Sequence, residues 1–353
     1  MPTLLDCFHP VLDAGLLRPG AVRGVEVDGA RYALFRDHQG RPGALRDACP
    51  HRFAPLSLGK VRPDGTLSCP YHGWYFDRDG RGANPSQPGL SGCDADALQV
   101  VERHGHLWIA ARDALVREPP ALHEPGDHPI GSYSRAFSVP LHVLFSNFLD
   151  VEHVPFIHSP GIGLLDGHFG PPTDFTTHVG DDQVTTTYHY RAAAAPGGRW
   201  APLRSTRLVV ERVSRFDPLR LTDTVSWVDD ATGVPSSMVT RIVSVFVPET
   251  LERTRVTWFA AMRSRGLGAA LVAPLLRRAY APLLRLTTRQ DEAFLSACAH
   301  IPYETAGMRL DRFDGPITAN LKVLRRSVYR PSLKLAPAPA APAVAAEVAP
   351  CAR

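Results

Sequence analysis

Short apolar runs broken by polar turns fill the first third of the chain. Val25-Glu26-Val27, Tyr32-Ala33-Leu34-Phe35 and His106-Leu107-Trp108-Ile109-Ala110 are such runs, and Asp28-Gly29, Asp64-Gly65 and Asp79-Gly80 are such turns. This spacing predicts an all-β unit of short strands and hairpins. Residues 118–129, with Pro119, Pro120, Pro125 and Pro129, read as a linker. Beyond them the pattern is mixed. A helix is predicted over 143–158, then β-like runs over 184–190, 208–213, 221–228, 237–247 and 255–262, and helices from about 266 to 299. Strands followed by helices predict an α+β domain whose antiparallel sheet curls around a helix. The Ala- and Pro-rich tail has too little apolar surface to fold alone and is expected to be disordered. The expected divisions are 1–125, 126–335 and 336–353.

A length of 353 residues suits two ordinary domains, and 44% hydrophobic with 21% charged residues is a globular composition. The net charge of +4 is small for this length and makes no case for nucleic acid. Of six cysteines, Cys7, Cys93, Cys298 and Cys351 are scattered without framework spacing, so free thiols and a reducing, cytoplasmic setting are expected. The first ten residues carry Asp6 and lack the basic start and apolar run of a secretory signal. The apolar stretch 266–286 contains Arg277, Arg278, Arg285, Pro274 and Pro282. It falls short of the roughly twenty uninterrupted residues of a membrane span and reads as a packed or amphipathic helix, with no membrane contact expected.

The two remaining cysteines carry chemistry. Cys49-Pro50-His51-Arg52 and Cys69-Pro70-Tyr71-His72-Gly73-Trp74 form two mixed Cys/His pairs with seventeen residues between them. This is the ligand set and order of a Rieske [2Fe–2S] cluster, in which two thiolates hold one iron and two imidazoles the other. Structural zinc is the alternative, but zinc fingers usually segregate cysteines and histidines into separate pairs. Proline presets each loop, and Gly73 relieves crowding where the backbone wraps the cluster.

A second segment, Asn147-Phe148-Leu149-Asp150-Val151-Glu152-His153-Val154-Pro155-Phe156-Ile157-His158, offers two histidines five residues apart. On a regular helix they would point about 140° away from each other. Pro155 is expected to bend that helix and swing His158 towards His153. Two imidazoles and one carboxylate make the facial triad of non-haem Fe(II), where dioxygen is activated. Asp291, in Thr287-Thr288-Arg289-Gln290-Asp291-Glu292, is the best third ligand, with Glu292 the adjacent competitor.

With these motifs in place, the chain resembles the terminal oxygenase (α) subunit of Rieske non-haem iron oxygenases from about Phe8 to Arg330. The runs Cys49 to Ser57, Cys69 to Trp74 and Asn147 to His158 carry the likeness. The single-subunit-type branch is most similar, the one that includes dicamba and other O-demethylases and the saxitoxin-pathway hydroxylases. The resemblance implies a Rieske domain followed by a helix-grip (Bet v 1/START-like) catalytic domain. It implies that Cys49 and Cys69 bind one cluster iron, His51 and His72 the other, and His153, His158 and Asp291 a mononuclear Fe(II). Asp150 matches the family's bridging aspartate, which hydrogen-bonds an iron-ligand histidine in its own subunit and a cluster histidine of the neighbour. Asn147 matches a position near the iron. A head-to-tail homotrimer is implied as well, because the two centres of one chain lie too far apart for fast electron transfer.

The expected function is therefore O₂-dependent oxidation of a small organic molecule, most simply hydroxylation, with O- or N-demethylation as the alternative. Electrons would come from NAD(P)H through a separate ferredoxin or flavin reductase, since no Gly-rich nucleotide fingerprint is present. A Rieske electron-transfer protein without oxygenase activity, or a binding protein that has lost catalysis, would leave the His/Asp set unexplained. Phe169, Phe175, Tyr188, Tyr190, Trp200, Trp227, Phe246 and Trp258 are pocket candidates, each more simply read as core.

Overall fold

The computed structural model describes residues 3–90, 92–158, 168–169, 172–193, 206–264, 268–305, 307–327 and 329. The N-terminal part is built from ten strands: β1 (His9–Asp13), β2 (Val22–Val27), β3 (Ala30–Arg36), β4 (Pro42–Arg46), β5 (Lys60–Val61), β6 (Leu67–Ser68), β7 (Tyr75–Phe76), β8 (Gly82–Ala83), β9 (Ala97–Arg103) and β10 (His106–Ala110). They form a six-stranded sheet in the order β1-β10-β9-β4-β3-β2 and a four-stranded sheet β5-β6-β7-β8. Asp28 at positive φ and Gly29 make the tight turn between β2 and β3 that the sequence signals. The second, small sheet holds the loop between β6 and β7, where Cys69 lies.

The rest comprises β11 (His128–Phe137), α1 (Leu141–Leu149), α2 (Val154–Ile157), β12 (His168–Phe169), β13 (Thr173–Val179), β14 (Gln183–Ala193), β15 (Thr206–Phe216), β16 (Leu219–Asp229), β17 (Pro235–Thr250), β18 (Arg253–Ser264), α3 (Gly268–Cys298) and α4 (Gly315–Leu324). An antiparallel sheet runs β11-β18-β17-β16-β15-β14-β12, with β13 also on β14. The α+β architecture and every predicted strand of this part are present. Three strands escaped the sequence reading, among them the two-residue β12. The stretch read as a linker ends inside β11, whose Pro129 sits at a bulge against β18, and the Thr-rich β13 has little apolar alternation.

The sheet has two unlike faces. One carries Phe246 and Trp258, on which α1 packs through Phe145 and Phe148; the Phe148 ring lies 5.8 Å from Trp258 and 5.1 Å from Phe246. The other face packs Val243, Val245 and Phe259 against Phe8 and Trp108 of the N-terminal sheets. The β2–β3 turn is tied to the end of β17 by Asp28 N–H to Pro248 O (2.8 Å) and Gly29 N–H to Glu249 O (2.7 Å).

Helix α3 buries Ala269, Ala273, Thr288, Asp291 and Leu295. It leaves Leu271, Leu275 and Leu286 exposed, so it is amphipathic in the looser sense that its apolar residues exceed its buried face. Among the described residues, no helix is long and apolar enough to cross a membrane. The tail after Leu335 and Trp200 lie outside the described residues.

Candidate metal centres

The two Cys/His loops have the same local geometry. In the first, Cys49 N–H donates to Ala54 O (2.9 Å) and Phe53 N–H to Cys49 O (2.7 Å); in the second, Cys69 N–H donates to Trp74 O (2.6 Å) and Gly73 N–H to Cys69 O (3.2 Å). The fourth residue after each cysteine has positive φ, 57° at Phe53 and 73° at Gly73. Glycine takes that conformation freely, whereas a phenylalanine is held there only by its surroundings. Two matching loops thus close on one point from opposite sides.

Their side chains divide by depth. Cys49 and Cys69 are buried, at 1% and 3% exposure, while His51 and His72 are exposed with ring centroids 4.6 Å apart. Trp74 stacks on His51 at 4.9 Å and Tyr71 lies against His72 at 3.8 Å. Burial, together with the neighbouring Cys69, pushes the Cys49 thiol up to about 11, against the pull of the His51 and Arg52 amides. Two facing thiols and two facing imidazoles fit the donor set of a Rieske cluster, whose iron would displace the thiol protons.

The second centre is assembled by α1, α2 and α3. The helix predicted over 143–158 is interrupted, but not at Pro155 where the bend was expected. Instead α1 stops at Leu149, Asp150 is extended (φ −66°, ψ 119°), and α2 begins only at Val154. Asp150 causes the break and repairs it, since its Oδ1 accepts from the Glu152 N–H at 2.8 Å and the His153 N–H at 3.3 Å. Pro155 falls in the first turn of α2, where a missing N–H costs nothing, so it starts a helix rather than bending one.

The break brings the histidines together, with ring centroids 5.4 Å apart. Asp291 Oδ1 lies 3.2 Å from His158 Nε2 and 3.8 Å from His153 Nε2. Each histidine's other nitrogen is already engaged. His153 Nδ1 bonds the Asp150 carbonyl at 3.0 Å, and His158 Nδ1 bonds Gln290 Oε1 at 3.2 Å. Each Nδ1 therefore carries a proton, and each Nε2, the atom that would meet a metal, faces the carboxylate.

An unprotonated Nε2 facing a carboxylate repels it unless something positive, a proton or a metal ion, lies between them. Consistently, Asp291 Oδ1 is buried without a hydrogen bond of acceptable geometry. These three residues also form a metal-competent group, with ligand atoms within 4.8 Å of one another. Burial holds His153 below the usual imidazole range; at His158 the Asp291 carboxylate outweighs burial and holds it above. Glu292, the competing carboxylate, turns away and pairs with Arg135.

Asp150 departs from what the resemblance implies. Its carbonyl is the hydrogen-bond partner of the His153 ring; the carboxylate bonds the His153 backbone N–H and reaches the ring Nδ1 only at 3.7 Å. That carboxylate is 37% exposed and, with Asn147, lines a half-open cleft of about 200 Å³ beside Phe294, Cys298, Tyr303 and Met308. Of the expected pocket aromatics, Tyr188 and Tyr190 face the site region from β14 and Trp258 and Phe246 pack on α1. Phe175 packs on Phe313. Sequence reasoning missed Gln290, whose signal was its place one residue before Asp291.

Residues 7–94 match the Rieske [2Fe-2S] domain family, and residues 137–313, half of the chain, match the family described as the vanillate O-demethylase oxygenase C-terminal domain. The chain belongs to the Rieske non-haem iron oxygenases. Within this family it is 32% identical over 200 residues to the vanillate O-demethylase oxygenase subunit of Pseudomonas sp. (strain ATCC 19151), covering 53% of this chain and 60% of that one. It is 38% identical over 160 residues to the chloroplastic chlorophyllide a oxygenase of Chlamydomonas reinhardtii, covering 44% of this chain and 25% of that one. The crystal structure of dicamba monooxygenase bound to 3,6-dichlorosalicylic acid superposes with a TM-score of 0.69 over 94% of this chain and 98% of that one. At 20% identity that likeness bears on the fold.

Proposed function

We propose that this Rieske oxygenase uses O₂ and externally supplied electrons to oxidise a small organic molecule. Cys49 and Cys69 would hold one cluster iron, His51 and His72 the other, and His153, His158 and Asp291 a mononuclear Fe(II). The observation that carries the reading is the buried, unbonded Asp291 Oδ1 opposite two imidazole Nε2 atoms whose Nδ1 protons are committed elsewhere. Mononuclear iron in such a triad supplies open coordination positions for dioxygen, and the cluster supplies electrons one at a time. The chain's own residues fix the imidazole tautomers, bury the carboxylate and keep the cluster histidines at the surface.

Surface placement supports transfer between subunits. His51 and His72 are exposed, and the Asp150 carboxylate is open on one side while its backbone carbonyl holds His153. A head-to-tail homotrimer would set each exposed histidine pair against a neighbour's Asp150, a closed heterologous arrangement. Asn147, on the same wall as Asp150, would lie beside that path. A separate ferredoxin or flavin reductase would deliver electrons from NAD(P)H. The free cysteines suit a reducing, cytoplasmic setting. The divisions at 125/126 and 335/336 accompany this reading.

Hydroxylation is the simplest outcome, and demethylation is a specific second reading. The similar vanillate subunit and the dicamba enzyme of Stenotrophomonas maltophilia are both named O-demethylases. Purified protein, a surrogate reductase, NADH and a panel of methoxylated and unmethoxylated aromatics distinguish the two. Product mass rising by one oxygen atom supports hydroxylation; loss of a methylene equivalent with formaldehyde release supports demethylation. NADH consumption with no oxidised product from any panel member contradicts the substrate class.

A further inference from the structure

We propose that Arg212 and Tyr190 are positioning residues that hold the break between α1 and α2 in the shape the iron triad requires. This rests on the reading of His153, His158 and Asp291 as iron ligands. The helical hydrogen bonding is interrupted at the break, since α1 ends at Leu149 and α2 begins at Val154, and the Phe148 and Val151 carbonyls take donors from elsewhere. Two neighbouring strands supply them. Arg212 Nη1 on β15 donates to the Phe148 carbonyl, and the Tyr190 hydroxyl on β14 donates to the Val151 carbonyl. The two bonds bracket Asp150, whose carbonyl in turn receives the His153 Nδ1 proton at 3.0 Å.

The clamp is itself built to be rigid. Arg212 stands directly across from Asp223 of β16, and the pair is bidentate, with Nε to Oδ1 at 2.7 Å and Nη2 to Oδ2 at 3.1 Å. The two side chains are only 11% and 16% exposed. Burial acts to lower the guanidinium's proton affinity, and Asp223 together with Tyr188 more than reverses this. The guanidinium also lies 5.6 Å from the Tyr188 ring centroid, and Tyr188 meets Tyr190 edge-on at 5.5 Å. A planar fork that spends two donors on a carboxylate and aims a third at one carbonyl fixes that carbonyl far better than a flexible amine. A buried charge pair is a poor way to gain stability alone, because well-packed apolar residues often serve as well. Its value here lies in where it holds the backbone.

The test compares full-length wild type with Tyr190→Phe, Arg212→Lys and the paired change Arg212→Met with Asp223→Leu, which removes both charges. Each is loaded anaerobically with ferrous iron and challenged with graded chelator. The Rieske absorption spectrum and melting temperature serve as fold controls. The expected result is that the paired variant keeps its cluster spectrum yet releases mononuclear iron at about tenfold lower chelator, the scale of lost orienting partners. Tyr190→Phe shows a smaller loss, and Arg212→Lys lies between wild type and the paired variant. Iron held as tightly as wild type in both Tyr190→Phe and the paired variant overturns the clamp. Should the paired variant not fold, Tyr190→Phe and Arg212→Lys decide by the same criterion. Wild type that holds only cluster iron overturns the iron-site reading itself, before any variant is compared.

Discussion

His158 owes its orientation to one amide. Gln290 Oε1 takes its Nδ1 proton, so that Nε2 faces Asp291, and Gln290 sits on α3 one residue before that carboxylate. Gln290→Leu should leave the ring without that anchor and weaken iron retention by about tenfold while the cluster spectrum stays unchanged; chelator titration measures this, and wild-type retention would contradict it. Asp150→Ala behaves differently: it removes the carboxylate cap on the Glu152 and His153 amides, but any residue supplies the carbonyl that holds His153, and Arg212 and Tyr190 still bracket the break. Both metal centres should stay occupied while coupled turnover with reductase and NADH is nearly abolished, so a fully active variant removes the bridging role. Much at this scale was legible in the sequence, since Cys-x-His and Cys-x-x-His are local pairs whose mixed composition favours a Rieske cluster over structural zinc. Asp291 and Glu292 were not separable, because adjacent helical residues differ only in which way they face. Arg135 of β11, distant in sequence, claims Glu292 and leaves Asp291 to the histidines.

Elements carry the site by being interrupted in the right places. The pair of cluster loops hangs on two such details, the positive φ at Gly73 and the close pass at Gly59, where a Cβ would lie 2.0 Å from the Ser68 carbonyl oxygen. Gly59→Ala should therefore force β5 and β6 apart beneath Cys69 and bleach the cluster spectrum; a variant with unchanged absorbance would show that the loop does not need this approach. Helix α1 is placed by its aromatic face. Phe145 is fully buried and meets Phe246 edge-on at 5.3 Å, so Phe145→Ala should cost about 3–5 kcal/mol in denaturant unfolding. The long strands of the catalytic sheet were legible because their alternation is uninterrupted. The break after Leu149 was not, because it is made by an aspartate capping its own backbone and by two side chains from remote strands, which no periodicity records.

At the scale of the whole molecule, the N-terminal sheet carries histidines that burial, complete at His9 and partial at His104, keeps neutral. Burial lowers His9 to about 4 and, with His123 beside it, His104 to about 4, both from 6.5. The unfolded chain takes up these protons near 6.5 and the folded chain only near 4, so the unfolded state binds more protons within that window. Stability is thus fully present above pH 6.5 and is lost progressively as pH falls towards 4. A melting temperature that stays flat across that interval would contradict the burial of these rings. The central claim is that one chain carries a cluster and a separate mononuclear iron, and it is tested most directly by counting iron and labile sulfide in anaerobically reconstituted protein beside its His153→Ala variant. The account predicts three irons and two sulfides per wild-type chain, and two irons with an unchanged Rieske spectrum in the variant. Two irons in the wild type, or a third iron that survives His153→Ala, would contradict it.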